Sequence, residues 1–179
     1  QNDRIGLVVF AGNSYLQCPL IVDHEIIREI VADLDFNSVE EDGTAIGDAV
    51  ALAASRMIDS GSKGKMILLI TDGVNNRGEI DPETAAKTCS DMNIKVYSVG
   101  IGKDGRVPYP NAAGPMWPKQ YLMNQFNEES LKSTAETTGG AYFRAESTGA
   151  FTAGMDQIDS LEKSESDVRI YNEFDDRSG

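Results

Sequence analysis

The chain has 179 residues, of which 16 are Lys or Arg and 29 are Asp or Glu, giving a formal charge of −13. That length suits one domain with a core of its own, and 40% hydrophobic with 25% charged residues is the balance of a folded globular chain. So acidic a sequence lacks the clustered Lys and Arg that a nucleic-acid backbone or an anionic membrane surface demands, which sets both aside as partners.

Ile5 to Phe10 (IGLVVF) is apolar on both alternating faces, the pattern of a strand covered by helices on two sides. Ser14 to Leu20 reads as a shorter strand, and Pro19 suits an edge. Asp23 caps a helix whose stripe is Ile26, Ile27, Ile30, Val31 and Leu34. Asp42-Gly43 opens the next helix, with Ile46, Val50, Ala53 and Met57 inward. Met66 to Ile70 (MILLI) reads as a fully buried strand that stops at Thr71-Asp72-Gly73. Asp81-Pro82 starts a helix with Pro at its first position and an inner stripe of Ala85, Cys89 and Met92. Ile94 to Ile101 (IKVYSVGI) is a third core strand. Asn127 caps a helix over Glu128 to Thr138, which Gly139-Gly140 ends. Ala141 to Arg144 is a last short strand, and Ala150 to about Ser164 a last helix. The polar stretch beyond it, 167–179, reads as a fraying tail or linker, leaving 1–166 as the domain.

Strands alternating with helices predict an α/β fold with a doubly wound, mostly parallel, Rossmann-like sheet flanked by helices. In such sheets ligands bind at the carboxyl ends of the strands. The loops after Phe10, Ile70 and Ile101, and the turn before the Ile46 helix, are therefore the candidates for a site. No apolar run approaches the roughly 18 residues of a membrane span. Cys18 and Cys89 fall on separate elements with no CxxC, so two free thiols are expected. The single His, His24, sits at a helix start, a poor place for a catalytic base.

Three motifs promise more than they hold. Gly100 to Gly105 matches G-x-G-x-x-G after a strand, but Val107-Pro108-Tyr109-Pro110 cannot open the helix that pyrophosphate binding needs. Asp33 to Asn37 resembles half a calcium loop, yet its sixth position is Ser38 and its twelfth Thr44, so the sharp turn and bidentate carboxylate are missing. The carboxylates Asp72, Glu79, Asp81 and Asp104 show no spacing that marks an acid–base pair.

Two other motifs sit where the topology wants a site. DGTAIGDAV (42–50) is a loop turning into a helix, and ILLITDGVNNRG (67–78) is a strand ending in an acidic turn. Together they resemble a von Willebrand factor type A domain. DRIGLVVFAG resembles that family's second strand, and VYSVGIG and TGGAYFRA its fifth and sixth, so the resemblance covers nearly the whole chain. VPYP after GIGKDG, and the acidic ending YFRAEST…IDSLEKSE…VRIYNEFDD, are most similar to the aerotolerance (Bat) membrane proteins of bacteria.

The resemblance implies a protein-interaction module with no catalytic residues. Its MIDAS-like site would hold magnesium or another divalent cation, with Thr44 as a ligand and Asp72 as a ligand or the orienter of a bound water. The uncompensated charge of the cation would engage an acidic side chain of a protein partner. The plainer role for Thr44 is a helix-capping hydroxyl, and for Asp72 an Asx turn at a strand end. The resemblance further implies a bacterial, membrane-associated complex, anchored through segments outside these residues, with the domain in the periplasm. The family's D-x-S-x-S motif is absent from this sequence. Its first strand and helix are expected to lie before residue 1, which would leave a central slot between Ile5–Phe10 and Met66–Ile70. Metal binding by these residues alone is then expected to be weak or absent. The alternative is a doubly wound enzyme acting on phosphate or nucleotide through the Asp72 and Gly100–Gly105 loops.

Residues 103–126 hold four of the six prolines and the only Trp, and read as a long loop at the same end of the sheet. Tyr109, Met116, Trp117 and Tyr121 would form a partner-binding rim there or pack onto the domain itself.

Overall fold

The computed structural model describes residues 3–34, 41–62, 64–72, 74–102 and 127–163, together with the backbone of 105–108, 121–124 and 164–175. In chain order the elements are β1 (Ile5–Phe10), β2 (Ser14–Ile21), α1 (His24–Ala32), α2 (Ile46–Met57), β3 (Lys65–Thr71), α3 (Pro82–Asp91), β4 (Ile94–Ile101), β5 (Gly105–Pro108), β6 (Tyr121–Asn124), α4 (Glu128–Thr137), β7 (Tyr142–Ala145) and α5 (Thr148–Asp175).

The centre is a parallel sheet in the order β3-β4-β7. On one face α2, α3 and α4 bury Ile46, Val50, Ala54, Ala85, Cys89 and Leu131 against Ile67, Leu69, Ile94 and Val96. On the other, α5 sets Ile158 on Tyr97, Val99 and Ala145, with Phe151 and Met155 beside them. β4 is the true core strand, since Ile94, Val96, Tyr97, Ser98 and Val99 are all buried. Its partner Gly140 holds the α4–β7 turn hard against it, because a Cβ there would collide with the Val96 carbonyl oxygen. The doubly wound α/β architecture expected from the alternation is thus the observed one.

β1 and β2 form a separate antiparallel hairpin. Its register slips between Ile5 and Leu7, and Pro19 falls in that irregular stretch, where no ladder donor is needed. The two sheets are parallel at their facing edges. The Arg4 guanidinium at the start of β1 donates to the Ser60 carbonyl, just before β3. At the other end Ala11, after β1, accepts from Ala45 at 2.7 Å, and Thr44 accepts from Asn76 and Arg77, beyond β3. Yet among the described residues neither β1 nor β3 has a strand on its facing edge. Direct pairing of the two, one way to close the expected slot, is not what these residues do.

The same gap corrects two expectations of burial. β3 is not buried on both faces: Ile67, Leu69 and Thr71 are, while Met66 is 36% and Ile70 39% exposed. α5 reaches over β4 and β7 but does not cover the outer part of β3. β1 likewise carries no buried residue, and Ile5 is 41% exposed. α1 forms as expected, with the Asp23 carboxylate accepting from Glu25 and Ile26 N–H at 3.0 and 3.4 Å. It also buries no residue, leaving Ile26 and Val31 of its apolar stripe exposed.

Two boundaries also differ. The stretch 103–126 is not all loop, since β5 and β6 pair within it as an antiparallel hairpin, Gly105 opposite Asn124 and Pro108 opposite Tyr121. α5 runs on to Asp175 rather than ending near Ser164, because no Gly or Pro interrupts the residues after Gly154. Among the described residues no helix is long and apolar enough to cross a membrane.

Candidate functional site

The carboxyl ends of β1 and β3 meet two loops that are zipped together. The turn after β1 is stitched to residues 41–45: Gly12 N–H donates to the Glu41 carbonyl at 2.9 Å, and a Cβ on Gly12 would come 2.7 Å from the Asp42 carbonyl oxygen. The loop after β3 then closes over the same segment. Asn76 Oδ1 accepts the Thr44 N–H at 2.9 Å, while the Thr44 carbonyl accepts Asn76 N–H at 3.1 Å and Arg77 N–H at 3.3 Å. Asn75 Oδ1 accepts the Ile46 N–H at 2.8 Å.

That last bond decides the role of Thr44. The residue at the start of α2 is Ala45, with no side-chain cap of its own. The first free amide of the helix is satisfied by Asn75, from another loop. Thr44 therefore does not cap α2, and its hydroxyl makes no hydrogen bond among the described residues. Asp72 is exposed at the end of β3, and its carboxylate likewise has no partner among them. Gly73 lies outside the described residues.

The inner wall of the site is Asp48. Both its oxygens accept the Glu79 N–H at 3.1 Å, and Oδ1 accepts the Ile80 N–H at 2.8 Å. A carboxylate in the first turn of α2 is also favoured by the helix dipole. Its charge is spent on these amides rather than offered to a ligand. Gly47 permits the approach, since a Cβ there would collide with the Ile80 carbonyl oxygen.

Thr44 and Asp72 thus stand on loops that the fold brings to one end of the sheet. Asn75, Asn76 and Asp48, which fix the Thr44 loop, were not singled out by sequence reasoning. The Asn-Asn pair three residues past the acidic turn was the available signal. Tyr109, Met116 and Trp117 fall outside the described residues, and of Tyr121 only the backbone in β6 is described. Residues 35–37 of the calcium-like stretch are outside as well. Gly100–Gly105 leads into β5, not into a helix, so no pyrophosphate-binding helix end faces that turn. Both cysteines are free and buried, and burial pushes the Cys89 thiol up to about 11, which makes it a packing residue.

The two donors in hand, a hydroxyl and a carboxylate, are hard oxygens of the kind magnesium prefers, but they supply only part of a six-ligand shell. Among the described residues no group of three or more His, Cys, Asp or Glu side chains stands ready to hold an ion.

A parallel sheet wrapped by helices, with a threonine loop and an acidic strand end zipped at its carboxyl edge, defines a doubly wound binding domain. Residues 1–157 match the model of the von Willebrand factor type A domain, and the chain belongs to that family. Domains of this family serve generally as protein-interaction modules. The fold resembles the conserved hypothetical protein BatB from Bacteroides thetaiotaomicron, with TM-score 0.77 and 25% identity over 93% of this chain and 81% of that one. It also resembles an aerotolerance-related membrane protein from Bacteroides fragilis, with TM-score 0.74 and 27% identity over 89% of this chain and 79% of that one. Proximal thread matrix protein 1 from the mussel byssus, solved with a zinc-occupied MIDAS motif, shares the fold at TM-score 0.67 and 19% identity, over 89% of this chain and 34% of that one. The chain spans about half the length of the curated relatives it matches.

Proposed function

We propose that this domain binds a protein partner by presenting a divalent cation, held in part by Thr44 and Asp72, to an acidic side chain of that partner. The observation that carries the reading is the zipped pair of loops. Thr44 is fixed by Asn76 and freed from capping α2 by Asn75, at the end of the sheet where Asp72 emerges. Holding a hydroxyl in place without giving it a hydrogen bond among the described residues suits a ligand better than a structural threonine.

The edges of β1 and β3 that no strand covers among the described residues support the second part of the reading. A strand seated between them would end beside Thr44 and Asp72, and its last residues would complete the oxygen shell. The D-x-S-x-S strand of the family is the segment that fits. These 179 residues alone would then bind magnesium weakly or not at all. The bound cation would supply a positive charge that lets an acidic domain hold an acidic partner. The likeness to BatB and to an aerotolerance-related membrane protein supports work in a membrane-associated bacterial complex linked to aerotolerance; in this reading the domain faces the periplasm. No catalytic group is assigned.

The test is calorimetry with Mg²⁺ or Mn²⁺ on the full-length protein and on the 179-residue chain. The full-length protein should bind, Thr44→Val and Asp72→Asn should each weaken binding at least tenfold, and the shorter chain should bind poorly. Equal binding by the Thr44→Val and Asp72→Asn variants would remove both residues from the site. Tight magnesium binding by the 179-residue chain would remove the need for a further strand.

A further inference from the structure

The loop that fixes Thr44 also carries a cation of its own. Arg77 is exposed, and among the described residues its guanidinium makes no hydrogen bond or ion pair. By contrast, Arg28, Lys95, Lys132, Arg144 and Lys163 each hold a carboxylate. Arg56 and Lys87 are also exposed with no carboxylate partner among the described residues, so what sets Arg77 apart is its place on the loop that fixes Thr44.

Its position is fixed on three sides. The Arg77 N–H donates to the Thr44 carbonyl at 3.3 Å. Asn76 before it binds the Thr44 N–H, and Gly78 after it, at φ +97, leaves room for the Asp48 carboxylate, which a Cβ would approach to 2.8 Å. The arginine stem lies over Gly43, whose own φ is +125. A Cβ at Gly43 would collide with Arg77 Cγ and lie 3.3 Å from Nε. The absence of a side chain at 43 thus makes the bed on which the arginine rests, and the guanidinium is held at the Gly43–Thr44 turn.

We infer that Arg77 is a carboxylate-binding residue of the partner site, gripping an Asp or Glu of the partner protein directly at the lip that carries Thr44. A planar guanidinium matches a carboxylate with two parallel N–H···O bonds, and a stem already packed loses less freedom on binding than a loose one. The net charge of −13 opposes a doubly charged phosphate more than a singly charged carboxylate. This rests on reading the Thr44–Asp72 end as the partner-binding end, but it does not depend on a cation there.

The experiment is an NMR titration of the 179-residue chain, free of metal and at constant ionic strength, with N-acetylglutamate amide as the probe. Arg77 Nε–H and the amides of Gly43 and Thr44 should shift together and saturably. Arg77→Gln should weaken that response roughly tenfold or more, as expected for loss of a charge-assisted pair. Arg77→Lys should restore it only in part, and Arg56→Gln, at an exposed arginine near the C-terminal end of α2, should leave it intact. No saturable shift at Arg77, or an undiminished response in Arg77→Gln, overturns the assignment. So does inorganic phosphate acting at lower concentration than the glutamate probe, which would make this a phosphate site. A failed glutamate response beside intact cation binding by the full-length protein overturns this assignment alone, and a glutamate response without such cation binding overturns the cation reading alone.

Discussion

Asp48, in the first turn of α2, accepts the Ile80 backbone N–H at 2.8 Å, and so ties the helix that follows Thr44 to the segment that leads into α3. The same carboxylate takes the Glu79 N–H on both oxygens. One acidic side chain therefore satisfies two amides of a loop that has no strand to pair with. Asp48→Asn keeps the shape but offers one acceptor oxygen and sets an NH₂ donor against those amides. The expected cost is about 1–3 kcal/mol, seen as a lower urea midpoint at unchanged slope. An unchanged midpoint would mean that the loop is held by Asn75 and Asn76 alone.

Gly47 lies on the same contact. In an open helix, Gly→Ala gains up to about 1 kcal/mol from propensity. Here a Cβ would collide with the Ile80 carbonyl oxygen and lie 2.8 Å from the Asp81 carbonyl carbon, both parts of backbone that cannot swing aside. The sign should therefore reverse, with Gly47→Ala destabilising by about 1–3 kcal/mol as an overpacked site. Gly64→Ala is the control, since nothing lies within 4 Å of a Cβ there. It should stay within about 0.5 kcal/mol of the parent in the same thermal melt.

Local chemistry was legible in the sequence wherever one residue sufficed. Asp23, Asp81 and Asn127 each cap the helix they were expected to cap, through bonds to Ile26, Thr84 and Ser130. β4 shows the burial expected of a third core strand. What was not legible depended on neighbours. MILLI reads as buried on both faces, but burial of Met66 and Ile70 requires a helix over β3 that the described residues do not provide. The short strands β5 and β6 owe their pairing to each other rather than to propensity, in a stretch whose prolines argue for loop. At the site, Thr44 and Asp72 stood out by motif. The residues that fix the Thr44 loop act through backbone amides, and only folding reveals which amides those are.

Two carboxylates should give the fold a measurable acid limb. Thr84, through its hydroxyl and then its N–H, holds Asp81 below its ordinary value of 3.8. Lys132, with Tyr142 and Arg144, holds Glu128 below 4.5. A depressed folded value means that the stabilisation is complete above the ordinary value and is lost as pH falls through the folded one. Stability should therefore be flat above about pH 5 and fall below it. Asp81→Asn keeps a capping oxygen without the titration, and Glu128→Gln removes the other. Both groups are well solvated, so screening keeps each effect small. The double variant should show a shallower loss of melting temperature with acid. A parent-like acid slope in that variant would assign the limb to other carboxylates.

The bare edges of β1 and β3 have a direct signature in amide exchange. In a parallel ladder, alternate residues of a strand bond to one neighbour, so half the amides of β3 reach β4 and the others point away from it. With no strand on that side among the described residues, those outward amides are open to water, as are the amides of β1 that do not face β2. The 179-residue chain should thus show slow exchange over Ser98 to Gly100 of β4, which are paired on both edges, and a slow–fast alternation along β3. In a longer protein whose next strand fills the gap, the fast set in both β1 and β3 should slow by the opening free energy of the core, while β2 and β7, whose outer edges are unchanged, keep their rates. Uniform protection of β3 in the 179-residue chain would mean that some segment of the chain itself closes the gap. Continued alternation in the longer protein would mean that the gap seats no strand, and would take with it the source proposed for the rest of the cation's ligands.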